Sequence, residues 1–374
     1  MNRVIYADNA ATTRLDTDAF EAMRPYLLEQ YANPSQPYSF ARQAKKALQD
    51  SRKMIADCIN ADPEEIYFTS GGTESDNWAV KGSVQRGDCR TVITSEFEHH
   101  AVLRACKKIE TLGCPVVYLH PNKDGFITPD NLEAAITDKT KLVSVMTVNN
   151  EIGTIQPIKE LCDIAHKHGA VFHTDAVQAL GHIPVDVKEL GVDMMSCSAH
   201  KFNGPKGIGF LFVKKGTRLS SYADGGAQEF GLRAGTENVA GIVGMAAALR
   251  KNSACLNDFQ SRLLTVEQTL IDKLDSAGIS YRRNGAMPRV PGSLSLSFPG
   301  TDGEAVLHRL DLMGIMVSTG SACDSRNTQI SHVLAAINAD ELYARGTIRI
   351  SLGKDNTVND AEKIAEAIIR IVSH

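Results

Sequence analysis

Several features are scarce in this chain, and each scarcity removes a class of function. No run approaches the roughly 18 apolar residues that a membrane-spanning helix needs. Neither sign of charge dominates: the formal net charge is -4 and the sequence pI is about 6.3. A broad basic footprint for DNA or RNA is therefore not expected. The eight cysteines are scattered and none forms a CxxC pair. A zinc knuckle or thioredoxin-like motif has no support, and no metal site is expected. The opening Met1-Asn2-Arg3-Val4-Ile5-Tyr6-Ala7-Asp8 lacks the long apolar region of a secretory signal, so a cytoplasmic protein is the expectation. Internal repeats and low-complexity tracts are absent as well.

What is present is the balance of an ordinary globular protein. Apolar residues make up 43% and charged residues 22%, which leaves no case for disorder. At 374 residues the chain exceeds one small core, and two domains are expected. Residues 41–59 set Ala44, Ala47, Leu48, Met54 and Ile55 along one helical side. Short strand candidates recur at 66–69, 90–93, 115–118, 142–146, 170–173 and 194–197, and helical stretches at 101–111, 130–136 and 158–168 separate several of them. That rhythm predicts an α/β fold with a mostly parallel sheet. A continuous helical region over about 237–275 is expected to cross a domain boundary. Beyond it, a period-two strand at 294–298 and helices near 303–313 and 357–372 suit a small α+β domain.

Five segments carry candidate chemistry. Lys201, within Ser198-Ala199-His200-Lys201-Phe202-Asn203-Gly204, follows a buried-strand candidate. It could reach the cleft at the sheet's C-terminal edge, and lysine forms Schiff bases with pyridoxal 5′-phosphate (PLP). Alone it reads more simply as a lysine of a solvated turn. Asp175, after another apolar strand, could keep a pyridine nitrogen protonated, or could merely cap a turn. Ser70-Gly71-Gly72-Thr73-Glu74-Ser75 joins a strand to a helix. Its glycines permit close approach, the helix start offers N–H groups to a phosphate, and Thr73 adds a hydroxyl; a plain capping turn is the other reading. The loop 225–238, with four glycines, Arg233 and Thr236, suits an anion or a bland surface. Cys323 sits in the small, polar segment 318–328 without apolar neighbours, which makes it a nucleophile candidate.

In their order along the chain, and with Tyr6-Ala7-Asp8-Asn9-Ala10-Ala11-Thr12-Thr13, Asn33-Pro34-Ser35 and Val148-Asn149-Asn150-Glu151-Ile152-Gly153, these motifs resemble the cysteine desulfurases of the NifS/IscS group. That group lies within the class V aminotransferase-like PLP enzymes. The resemblance runs from Tyr6 to the C-terminal helix. It implies an α/β, aspartate aminotransferase-like fold (fold type I). The expected parts are an N-terminal segment 1–15 associated with the small domain, a large PLP-binding domain 16–255 with a mostly parallel seven-stranded sheet, and a small domain 256–374 carrying the cysteine loop 318–330. PLP is the implied cofactor. Lys201 would bind it covalently, Asp175 would pair with its ring nitrogen, Gln178 with its phenolic oxygen, and His99 would stack on the ring. Thr73, Ser198 and His200 would hold the phosphate, joined by Thr236 across a homodimer interface. Asn150 and Arg349 would hold the substrate carboxylate, and Cys323 would carry the persulfide.

The implied reaction takes sulfur from L-cysteine, releases L-alanine, and passes sulfur to an acceptor such as an iron–sulfur scaffold or thiolation protein. A selenocysteine lyase, or another class V lyase or aminotransferase, is the alternative, separated by its dependence on Cys323. Without the resemblance, His99 reads as a helix-start residue with His100 as its rival, and Arg349, between Ile348 and Ile350, as a surface strand arginine. Departures from the group's pattern fall at Gln36-Pro37-Tyr38, at Ala227 and Phe230, and at 324–328.

Overall fold

The short apolar segments of the first two-thirds of the chain become strands of one sheet. The computed structural model describes residues 4–84, 90–320 and 330–373. After a short β1 (Ile5–Tyr6), the sheet is built from β2 (Ile66–Thr69), β3 (Thr91–Ser95), β4 (Val116–Leu119), β5 (Thr140–Ser144), β6 (Val171–Asp175), β7 (Met194–Ser198) and β8 (Gly209–Val213). Its order is β2-β8-β7-β6-β5-β3-β4. β8 runs antiparallel to both neighbours, and the other pairings are parallel. The expected mostly parallel seven-stranded sheet is therefore present.

β8 was not among the strand candidates. Its five residues are all buried, so the segment shows a continuous apolar run instead of alternation, and such a run does not by itself distinguish strand from helix. Gly209 begins it for a steric reason: a Cβ there would lie 2.3 Å from the Cys197 carbonyl oxygen and 2.7 Å from the Gly71 Cα. The glycine lets the 70–72 turn lie against the strand.

Helices cover both faces of this sheet, as parallel strands require. The helix Arg42–Ile59 buries Ala44, Ala47, Leu48 and Ile55 of the side its spacing predicts, keeps Met54 half-buried against the same core, adds Ile59, and ends at Asn60 in the left-handed conformation. Phe172, Phe210 and Phe212 lie in the core beneath, at 0–2% exposure. Each such burial is worth about 1.5–3 kcal/mol relative to exposure.

A second core lies beside β10 (Ser293–Ser297), which pairs antiparallel with β9 (Arg282–Arg283) and β12 (Thr347–Ser351). β11 (Ile315–Met316) pairs parallel with β1, which brings the N-terminal segment to this side of the molecule. Leu263, Leu270, Leu294, Ile348, Ile350, Ile364 and Ile368 fill the core with Ile5 and Ala7. The predicted continuous helix over 237–275 is two helices, Val239–Ala254 and Leu256–Ser276. The break falls at Cys255, with φ -108° and ψ 13°. The cause is a change of partner: Met245 and Leu249 belong to the large core, Leu263 and Leu270 to the second. No helix among the described residues is long and apolar enough to cross a membrane.

Candidate active site

Six of the seven sheet strands share a direction, so their C-terminal ends meet along one edge. The edge opens into a cavity of about 730 Å³. Thr73, His99, Asn150, Asp175, Gln178, Ser198, His200, Lys201 and Arg349 all line it. Nine residues expected at one site from positions 73 to 349 are thus brought together.

One end of the cavity suits an anion. β2 ends at Thr69 and the helix Gly72–Ser83 begins after a single turn, with Gly71 at φ +145°. A Cβ on Gly72 would stand 2.6 Å from the Val177 side chain, so glycine allows the helix start to press against the loop after Asp175. The first N–H groups of this 12-residue helix have no carbonyl partner within it, and the helix dipole favours negative charge there. Ser198 and His200 stand beside it. His200 Nδ1 lies 3.1 Å from the Thr12 hydroxyl, and burial, Lys201 and Lys206 push its pKa down to about 4. At neutral pH it meets an anion as a neutral hydrogen-bond donor. Arg233, suggested by the glycine-rich loop as an anion ligand, is engaged elsewhere: it pairs with Glu74 at 2.8 Å. Thr236 is exposed and outside the cavity lining of the single chain.

The middle of the cavity suits a cationic aromatic ring. Asp175 closes β6 at 5% exposure and accepts the Val177 N–H at 2.9 Å. Burial raises its pKa, while that hydrogen bond and the charge of Lys201 work in the opposite direction. Lys201 ends the 3₁₀ turn Ala199–Lys201 that follows β7. Its Nζ donates to the carbonyls of Ala10 (2.6 Å) and Ala11 (2.9 Å), and Gln178 Nε2 also donates to Ala10 (2.9 Å). The N-terminal segment therefore closes this side.

His99 is the N-cap of the helix His100–Glu110, with Nδ1 accepting the Ala101 N–H at 3.1 Å. Burial, Lys201 and His100 lower its pKa to about 4. The ring is neutral at pH 7, with its proton assigned to Nε2 by the Nδ1 bond. Its polar atoms come within 4.8 Å of those of Asp76 and Asp175. His100 lines the same cavity and lies against His332, with ring centroids 4.7 Å apart.

The far end is built from β12 and the turn after β5. Arg349, which its strand pattern alone suggested would be exposed, is 5% exposed. Asp8 explains the burial: its Oδ1 accepts from Arg349 Nη2 at 2.9 Å, and the Asn150 carbonyl accepts from Nη1 at 3.1 Å. Arg349 Nε is buried without a partner. Glu151, also buried, accepts a hydrogen bond from Ser331. Burial lifts its pKa to about 7 against the opposing effects of Ser331 and Arg349. Cys323 lies outside the described residues. Gly320 and Ile330, the described residues nearest it on either side, line the cavity. Among the described residues, six cysteines are free thiols, four of them buried. Asp76, Glu151 and Asp8 carry no separate signal in the sequence. Asp8 and Glu151 were visible only as members of motifs, and Asp76 only as an acid three positions after Thr73.

The fit to PLP is good on these grounds: an anion-binding helix start, a buried carboxylate, a flanking imidazole and a lysine share one cavity of adequate size. Comparisons with other proteins agree. The aminotransferase class-V family profile matches residues 5–364. A protein of Methanosarcina thermophila named cysteine desulfurase IscS is 44% identical over 373 residues, spanning 99% of this chain and 92% of its own. A solved NifS-like protein superposes with a TM-score of 0.93 at 36% identity, covering 99% of this chain and 100% of that one. SspA in complex with cysteine gives 0.83 at 36% identity, over 93% and 98%. The chain belongs to the aminotransferase class-V family, whose chemistry depends on PLP. Within that family it belongs to the cysteine desulfurases.

Proposed function

We propose that this chain binds PLP in the cavity and moves the sulfur of L-cysteine onto Cys323, releasing L-alanine. The observation that carries the reading is the position of Asp175 and Lys201 at the ends of adjacent strands β6 and β7, facing one cavity with a helix N-terminus at its other end. PLP, when bound, supplies an electron sink for the substrate's α-carbon.

The chain's own residues do the rest. Gly72 and Thr73 N–H groups, Thr73, Ser198 and His200 would hold the phosphate. Asp175 would pair with the ring nitrogen, Gln178 with the phenolic oxygen, and His99 would stack on the ring. Arg349 and Asn150 fix the substrate carboxylate, with the unpartnered Nε of Arg349 as a ready donor. Lys201 would anchor the cofactor and move the α-proton. The Cys323 thiolate attacks the substrate sulfur, so an S–S bond forms as the C–S bond breaks. The electron pair of the C–S bond goes to the substrate's β-carbon, which takes up a proton, so the thiol and cysteine become a persulfide and alanine.

Thr236, exposed in the single chain, supports a homodimer in which each copy completes the other's phosphate site. A sulfur acceptor protein, such as an iron–sulfur scaffold or thiolation protein, would discharge the persulfide. The test is incubation of the PLP-loaded protein with L-cysteine, measuring alanine and persulfide together. Cys323→Ser should retain the yellow cofactor and lose alanine formation, because a hydroxyl is far harder to ionise than a thiol of pKa about 8.5. A Cys323→Ser protein as fast as the parent would defeat the reading and favour a lyase.

A further inference from the structure

The group that the proposed chemistry leaves unused is Asp76, on the inward side of the helix Gly72–Ser83. It is 1% exposed, and its Oδ1 accepts no hydrogen bond. Its carboxylate comes within 4.8 Å of that of Asp175. Two carboxylates so close and so dry do not both ionise; one holds a proton. The surroundings decide which. Asp175 has the Val177 N–H and the charge of Lys201 to stabilise an anion.

The groups facing Asp76 give it less. Ser196 on β7 is its hydrogen-bond partner, and Asp175 and Glu98 act on it as further acids. His173 Nε2 lies 3.7 Å away but is within 2.9 Å of the Ser196 hydroxyl, while His173 Nδ1 lies 2.8 Å from that of Ser144. Burial holds His173 neutral, with a pKa near 3. His99, the third group of the cluster, is neutral at pH 7 for the same reason. A proton on Asp76 removes the second charge and turns an orphan acceptor into a donor.

We propose that Asp76 is a positioning residue that stays protonated in the folded chain, leaving Asp175 as the single anion facing the ring nitrogen of the cofactor. The first half concerns the protein alone; the second rests on the proposed PLP site.

The test is infrared difference spectroscopy on protein labelled with ¹³C-carboxyl aspartate, both PLP-loaded and stripped, at pH 7. A protonated-carboxyl C=O band that shifts with the label should be present in the parent and missing from Asp76→Asn. In Asp175→Asn the pH at which that band disappears should fall, a change that a purely structural Asp76 would not produce. Asp76→Ala should weaken PLP affinity about tenfold, and Asp76→Asn, a neutral isostere, should restore it to within about threefold of the parent. The proposal is overturned if the parent lacks the band, if Asp76→Asn keeps it, or if Asn serves no better than Ala. Should the parent bind no PLP, the functional reading fails while the band still decides the state of Asp76.

Discussion

The two ends of the cavity are held by different physics. At the Asp175 end, the polar groups sit on the edge of a buried parallel sheet, and position follows from strand register. Thr147 N donates to the Asp175 carbonyl at 2.9 Å, and the Thr147 and Thr174 hydroxyls meet at 2.7 Å. At the Arg349 end, position depends on an ion pair to Asp8, 341 residues away in sequence, on the N-terminal segment. Strand register fixes the geometry in the first case, and an ion pair between distant segments fixes it in the second. Damage to the sheet edge should therefore remove chemistry, whereas damage to the ion pair should misplace the substrate and spare the cofactor.

The largest effect tests the sheet edge. Lys201→Ala should abolish covalent PLP attachment and lower turnover by about ten-thousand-fold, since it removes both the anchor and the base. Borohydride reduction followed by peptide mass spectrometry should find the pyridoxyl label on Lys201 of the parent. A label on Lys206, which also lines the cavity, would reverse the assignment.

Next comes the opposite end. Arg349→Ala removes the carboxylate fork and strands Asp8, at 19% side-chain exposure, without its partner. Losing the charge-assisted bonds to the substrate carboxylate costs about 3 kcal/mol, or roughly 150-fold in kcat/KM for cysteine. PLP absorbance before substrate addition should be unchanged. Asp8→Asn keeps the shape and loses the charge, so the arginine keeps its bond to the Asn150 carbonyl. A tenfold rise in KM, about 1.4 kcal/mol, with little change in kcat is the expectation. If Asp8→Asn instead bleached the cofactor, the two ends would be coupled and the contrast between them would fail.

That contrast also marks where the sequence was legible. Residues at strand ends carry a local signature of an apolar run followed by a polar turn. Asp175, Lys201 and the Gly71-Gly72 turn could be read that way, and the strands themselves could be placed to within a few residues. Pairings between distant segments leave no such trace. Nothing around Ile348-Arg349-Ile350 announces that Asp8 will meet the guanidinium, so local pattern suggested a surface residue. β8 escaped because burial on both faces erases alternation, and the break at Cys255 escaped because each helix is individually regular while the cores they serve differ. Asp76 escaped because an acid on a helix is ordinarily solvated; only the fold turns it inward. Phe230, a departure from the family pattern, gained a meaning only in three dimensions. Its ring lies 5.2 Å from the Arg52 guanidinium and 5.6 Å from Tyr67, beside Glu229, which Arg52 holds at 2.7 Å.

The smallest expected effect on turnover, and the sharpest on stability, belongs to Glu151, which lies between the two regimes because it is buried and also close to Arg349. Its pKa in the folded chain is about 7, and burial is the largest cause. An unfolded glutamate titrates near 4.3. The folded state therefore binds the proton more tightly, and below pH ~4 both states are protonated and nothing is lost. As the pH rises from ~4 the unfolded chain ionises first, so stability falls until the folded group also ionises at about 7, beyond which the loss levels off. The whole loss is about 4 kcal/mol. Glutamine preserves an acceptor for the Ser331 hydroxyl and has no charge to bury. Glu151→Gln should match the parent at pH 4, gain in urea midpoint between pH 5 and 7, and hold a constant advantage above pH 8. Subtracting the parent's curve from the variant's removes the contributions of His99, His200 and Glu98, which both proteins share. An advantage that shrank as pH rose would mean that Glu151 is stabilised as an anion by Arg349, and the far end of the cavity would then be governed by pairing alone.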